Sequence, residues 1–260
     1  KIMLGLDGEV AGWLAIGVLV GLVSVCVINA NTLAVRKITL TSEKLSGVRR
    51  LAFVSDIHVG SNPPAHLRRI CRLLAKLKFE GLLIGGDLFD SSDFRFEDIV
   101  TLGSIDADIF FVTGNHETYV KGFEKQLARF HELDIRVLKN EAVDLDGINL
   151  MGVSDEQPLA ARVEAVDRLY RQDTFNIAIV HQPSIWDRTH NKVDLMLCGH
   201  THNGQIFPFN LLVKLQFRYV HGLFSKGSSR LYVSSGAGCW GPRMRLGSRN
   251  EILLVELLPA

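Results

Sequence analysis

From residue 36 onward the chain alternates short unbroken apolar runs with segments whose apolar positions recur at helical spacing, the pattern of an α/β chain. The apolar runs predict strands over 36–40, 50–55, 82–85, 109–113, 148–152, 175–180, 195–198, 230–234 and 252–257. The periodic segments predict helices over 65–77, 96–102, 120–133 and 159–170. With no internal repeat and no low-complexity linker, 36–260 is expected to form one catalytic-size domain.

The first 35 residues follow a different pattern. No charge occurs between Glu9 and Arg36, and the most apolar stretch, 10–28, shows no helical stripe. As a helix it would span about 28 Å, close to the roughly 30 Å of a bilayer's hydrocarbon core. Trp13 sits near one end, where an interfacial indole is favoured. A membrane helix over 10–28 is the expectation, and it accounts for the positive mean hydropathy of +0.16. A buried core helix rarely needs so long an uncharged run. A cleaved signal peptide fits poorly, because its basic start would be Lys1 alone, opposed by Asp7 and Glu9. The chain begins without Met, which leaves room for membrane helices upstream. Arg36, Lys37, Lys44, Arg49 and Arg50, set against Glu43, follow the stretch and place that side at the cytoplasmic face by the positive-inside rule.

Composition narrows the function classes. The chain has 260 residues, 47% hydrophobic and 22% charged, which is ordinary globular usage. Its formal charge of +1 disfavours a general nucleic-acid binder, and no nucleic-acid partner is expected. Cys26, Cys71, Cys198 and Cys239 form no CxxC pair, so neither a zinc knuckle nor a disulfide scaffold is suggested.

Polar residues collect where the predicted strands end. Asp56 and His58 close one run, Asp87 the next, Asn115, His116 and Glu117 a third, His181 a fourth, and His200 and His202 a fifth. Residues two apart on an extended segment face the same side, so Asp56 and His58 can reach one ion, and His200 and His202 share that spacing. Carboxylate, imidazole and amide oxygen without thiolate suit Mn, Fe or Zn. Asp56, His58, Asp87, Asn115, His181, His200 and His202 would overfill one coordination shell, whereas two ions sharing Asp87 would use all seven.

In this order the blocks Asp56-Ile57-His58, Gly86-Asp87, Gly114-Asn115-His116-Glu117, His181 and Gly199-His200-Thr201-His202 resemble the motif series of the calcineurin-like metallophosphoesterases. The resemblance covers essentially all of the chain after the apolar stretch, and GHTHNGQ with the closing YVSSGAGCWGPRMRLGSRNEI is similar to the membrane-associated or exported subgroup. It implies a four-layer α/β/β/α sandwich of two mixed sheets and a dinuclear centre of divalent or trivalent ions. Asp56, His58 and His202 would hold one ion and Asn115, His181 and His200 the other, with Asp87 shared. His116 would protonate the leaving group, oriented by Glu117, which stands where many members carry Asp. The implied activity is attack of a metal-bridging hydroxide on a phosphate ester or pyrophosphate, with a phosphodiester or lipid-linked substrate at the membrane foremost. A non-catalytic scaffold on the same fold, or a nuclease, is the alternative.

Other features carry blander expectations. His66, His131, His190 and His221 are read as surface or loop residues, and Cys198 as a small buried side chain. Arg68, Arg69, Arg72, Lys76 and Lys78 read as the solvated face of an amphipathic helix. Arg243 and Arg245, near Trp240, are candidates to pair with substrate phosphate. The apolar segment 206–224 is either core packing or a rim that receives lipid chains near the membrane.

Overall fold

The computed structural model describes residues 7–260; the first six, including Lys1, lie outside the described residues. Helix α1 (Gly8–Asn31) contains the whole predicted apolar stretch. Its 24 residues rise about 36 Å, enough to cross a bilayer. The helix is not a core element, because its apolar residues from Val10 to Ile28 are exposed almost throughout.

Its buried residues, Cys26 and Ala30, lie toward its end, where carbonyl groups of the helix accept from side chains and backbone of the following domain. The Arg245 N–H donates to the Cys26 carbonyl at 2.9 Å, the Asn250 side chain to Ala30 at 2.7 Å, and Arg69 to Asn31 at 2.8 Å. Arg243 binds the Asn31 side chain at 2.9 Å.

The chain then runs through β1 (Leu33–Ser42), β2 (Arg49–Val54), α2 (Pro64–Leu74), β3 (Gly81–Ile84), β4 (Asp108–Phe111), α3 (Asn115–Tyr119), α4 (Phe123–Leu127), β5 (Ile135–Val137), β6 (Glu141–Leu145) and β7 (Ile148–Val153). It continues through α5 (Leu159–Leu169), β8 (Phe175–Val180), α6 (Trp186–Thr189), β9 (Leu195–Cys198), α7 (Phe209–Gln216), β10 (Gly222–Lys226), β11 (Ser229–Val233) and β12 (Asn250–Pro259). Two mixed six-stranded sheets result, ordered β1-β12-β2-β3-β4-β5 and β10-β11-β9-β8-β7-β6. Strands β2 to β5 are mutually parallel, as are β7, β8, β9 and β11.

Strand alternation divides the apolar side chains among three cores. Leu51 and Phe53 of β2 face Ile177, Ile179 and Leu197 of the other sheet. Ala52 and Val54 point the opposite way, onto Leu67, Ile70 and Leu74 of α2. On the far side Met151, Ala178 and Met196 pack against Val166 of α5 and Trp186. Burial on both faces is why these strands read as unbroken apolar runs.

The structure departs from the sequence reading at the edges. Strands β5, β6 and β10 are short, half-exposed edge strands without an apolar run. The helix expected over 120–133 starts only after the left-handed Gly122, as α4, gives way after Leu127 to a 3-10 turn over 130–133, and stops at the left-handed Asp134. The segment 96–102 forms 3-10 turns interrupted at Ile99. His66 is not at the surface: it lies on the buried side of α2 and its Nε2 meets the Ala237 carbonyl at 2.7 Å. Arg69 is not merely solvated, since it caps α1.

Phe53 fills the space between the sheets directly under Gly85, where a Cβ would strike its ring. Phe53→Ala is expected to destabilise the chain by about 3–5 kcal/mol through the cavity it leaves. Thermal unfolding against wild type measures this.

Candidate metal centre

The loops that leave the carboxyl ends of β2, β3, β4, β8 and β9 converge between the two sheets. They bring Asp56, His58, Asp87, Asn115, His116, His181, His200 and His202 to one place, with Asp56, His58, Asp87, His181 and His202 buried. Asp56, His58, Asp87, His200 and His202 all have φ between 50° and 72°, a left-handed conformation costly for a residue with a Cβ. Such strain costs of order 1–3 kcal/mol per residue and collects at functional sites. Close backbone approach does the rest: a Cβ on Gly114 would collide with the Asp87 carboxylate, and one on Gly199 with Ser55 and Asp56.

Hydrogen bonds fix which histidine nitrogens face the cluster. His181 Nδ1 donates to the Gly85 carbonyl at 2.9 Å, so Nε2 faces Asp87 Oδ2 at 3.1 Å and His200 Nδ1 at 3.3 Å. His58 Nδ1 donates to Asp90 Oδ2 at 3.0 Å, leaving Nε2 facing His202 Nε2 at 3.1 Å and Asp87 Oδ2 at 3.8 Å. Asp56 Oδ1 lies 3.4 Å from His202 Nε2. Asp87 Oδ1 is held by the His116 N–H at 2.8 Å, so Oδ2 is the oxygen presented to both histidine groups. The Asn115 Oδ1 is buried and has no partner among the described residues.

Buried carboxylates and imidazoles crowd together here, and a cation would compensate the carboxylate charge that a proton on His181 otherwise balances. Two groups, Asp56 with His58 and His202, and Asp87 with His181 and His200, each have ligand atoms within 4.8 Å of one another. The donor set fits hard or borderline metal ions. The titration behaviour carries the same tension. Burial opposes charge on Asp87, but His181 outweighs it and holds the carboxyl well below its usual range. Burial likewise opposes an imidazolium at His181, yet Asp87 holds that ring well above the usual histidine value. Burial, reinforced by the charge of His181, pulls His200 down to about 3.

Residues 49–204 match the model of the calcineurin-like phosphoesterases. The chain belongs to this family. It is 37% identical over 229 residues to an uncharacterized metallophosphoesterase of Helicobacter pylori strain J99, over 84% of this chain and 62% of that protein. It is 30% identical over 240 residues to the transmembrane protein with metallophosphoesterase domain of Danio rerio, over 84% of this chain and 55% of that one. It is also similar to phosphodiesterase YaeI of Escherichia coli K12, 28% identical over 233 residues, covering 80% and 82% of the two chains. The match thus takes in less than two thirds of the Helicobacter and zebrafish proteins. Calcineurin-like phosphoesterases use divalent metals, and the Asp and His groups described above are where this chain can hold them.

Three expectations for single residues change. Glu117 does not orient His116. Its carboxylate accepts the backbone N–H groups of Asp87, Leu88, Phe89 and Gly114 at 3.0, 2.5, 3.2 and 2.7 Å, tying the loops after β3 and β4 together. Burial and then the charge of Asp87 push its pKa to about 7. The longer Glu side chain reaches across to the neighbouring loop. Arg245 does not face substrate: it is fully buried behind His202 and donates to the carbonyls of His202, Ser235 and Gly238 at 3.2, 2.6 and 2.7 Å. Arg243 is turned toward Asn31 of α1. His116 is half-buried, its ring 4.7 Å from that of His58 and flanked by Tyr119 and Trp240 at 5.3 and 5.9 Å.

The sequence reading missed Asp90, the second acid of GGDLFD, which fixes the tautomer of His58 and also accepts from Ser61 at 2.6 Å. A carboxylate behind a ligating histidine orients the ring and raises its basicity. Asp90→Asn is therefore expected to weaken metal affinity about 10- to 100-fold while the fold persists. Metal titration with circular dichroism on the same samples checks both halves.

Proposed function

We propose that this chain hydrolyses a phosphate ester, with a phosphodiester of a membrane-borne molecule as the favoured substrate, at a centre of two metal ions. The observation that carries the reading is Asp87 Oδ2, turned toward the Nε2 atom of a histidine in each group. Asp56, His58 and His202 would hold one ion and Asn115, His181 and His200 the other, with Asp87 common to both; Mn, Fe and Zn all suit the donors. The likeness to phosphodiesterase YaeI supports the diester. Helix α1 and the likeness to a transmembrane relative support a substrate at the membrane, a lipid pyrophosphate included. In this reading 1–35 is the anchor and 36–260 the hydrolase, and the basic residues from Arg36 to Arg50 favour the cytoplasmic face.

Bound ions would supply Lewis acidity, activating water toward phosphorus and neutralising the phosphoryl oxygens. The chain itself supplies position and protons. The buried loops hold the ligands rigidly, so little reorganisation is needed when charge develops. His116 stands at the open side of the cluster, half-buried, with its ring free to donate a proton to the departing oxygen. Burial pulls its pKa below the usual histidine range, with Asp87 partly offsetting this. The negative charge of a bound phosphate restores the protonated form.

Asp87→Ala is expected to abolish turnover and to lower the metal content below one ion per chain, read by elemental analysis alongside hydrolysis of bis-aryl phosphate. Full activity with two ions would overturn the assignment of Asp87. His116→Ala is expected to keep its metals and to slow alkyl esters by about 10²–10⁴-fold. Activated aryl esters, whose leaving groups need no proton, should slow far less. Equal slowing of both ester classes would remove the acid role.

A further inference from the structure

Segment 206–224, which contains α7, leaves the metal-candidate cluster and does not enter any of the three cores as a whole. Val213 is its buried contact within α7, whereas Phe207, Phe209, Leu211, Leu212 and Leu215 are 53–84% exposed. Between α7 and the Trp240 loop lies a cavity of about 460 Å³, a size ordinary for a small-molecule site. His200 and His202 of the cluster line it together with Phe209, Val213, Phe217 and Trp240, the Phe217 ring standing 5.3 Å from that of His200. A substrate with its phosphorus at the cluster therefore has one substituent lying along an uncharged wall.

The direction of the bilayer follows from hydrogen bonds. The Phe207 N–H binds the Leu246 carbonyl at 2.9 Å, and the adjoining Arg245 N–H binds Cys26 of α1 at 2.9 Å. The start of α7 is thus tied, through two neighbouring residues, to the turn of α1 where the apolar stretch ends. Val27 and Ile28 there are 42% and 60% exposed, so apolar surface continues down to that level. Segment 206–224 contains no acidic residue but carries Lys214 and Arg218, the composition of a helix lying at a membrane surface.

We propose that this cavity is a subsite for one hydrocarbon chain of a membrane-borne phosphate ester, with α7 seated in the surface of the bilayer that α1 enters. The chain then passes from bilayer to pocket without crossing water. The proposal rests on the phosphoesterase reading and deepens it.

The test uses the full chain in phospholipid nanodiscs with alkyl p-nitrophenyl phosphates of methyl, butyl, hexyl and octyl chain. Water adds to phosphorus, the bond to the aryl oxygen breaks, p-nitrophenolate departs and the alkyl phosphate remains. In wild type kcat/KM is expected to rise about two- to four-fold per methylene. Val213→Trp, which fills the pocket, is expected to flatten that dependence relative to the methyl ester, and Phe209→Ala at the rim to shallow it. A flat dependence in wild type, or a steep one untouched by both variants, would overturn the subsite. Binding is read separately in a Trp13→Phe background: 8-bromooctyl phosphate should quench tryptophan emission, and adding Trp240→Phe should remove most of that quenching. No quenching would overturn the pocket even in an active enzyme. Quenching without hydrolysis of any ester would support the pocket and defeat the phosphoesterase reading.

Discussion

His58 Nε2 and His181 Nε2 both face one oxygen of Asp87, at 3.8 and 3.1 Å, and each ring is fixed by a hydrogen bond on its far side. Asp87 favours a proton on His181, so a metal ion would stand where that proton does, and burying these charges away from water is costly. A further cost comes from the left-handed backbone at five residues of the cluster. Such an arrangement persists only where the surrounding structure over-determines it. The two sheets do so: each loop is anchored at the carboxyl end of a strand buried on both faces, and the Glu117 carboxylate stitches the loops after β3 and β4 through four backbone donors.

Arg245 links this constraint to the N-terminal helix. Its guanidinium holds the loops behind His202, while its own backbone N–H caps the carbonyl of Cys26 in α1. Arg245 therefore touches both helix α1 and the loops behind His202, alongside the ties that Arg69, Arg243 and Asn250 make to the end of the helix. A helix with almost all its apolar surface exposed would otherwise be free to tilt; its satisfied last turn sets where the open side of the cluster lies relative to the apolar stretch. That relation places α7 and Trp240 beside both the cluster and the level at which α1 ends.

Much of this was legible in the residues. The nine strand expectations lie on β1 to β4, β7 to β9, β11 and β12; all but β1, a half-exposed edge strand, read as apolar runs because they are mostly buried on both faces. Strands β5, β6 and β10 left no such trace, being edge strands with solvent on one side. The ligand candidates were visible because polar residues that interrupt an apolar run at a strand end have few structural uses. Asp90 escaped notice because its side-chain partners, Ser61 and His58, lie 29 and 32 positions earlier in the chain. Arg245 was misread for a related reason: an arginine beside glycines and a tryptophan suits a phosphate as well as it suits a nest of backbone carbonyls, and only the fold distinguishes them.

The shared Asp87 is the centre of the account, and manganese reports on it directly. Mn²⁺ titrated into the purified, metal-stripped chain and followed by electron paramagnetic resonance should saturate at two ions per chain, with the isolated six-line signal giving way to that of a coupled pair as the second ion enters. Saturation at one ion, or two ions that remain magnetically independent, would contradict it.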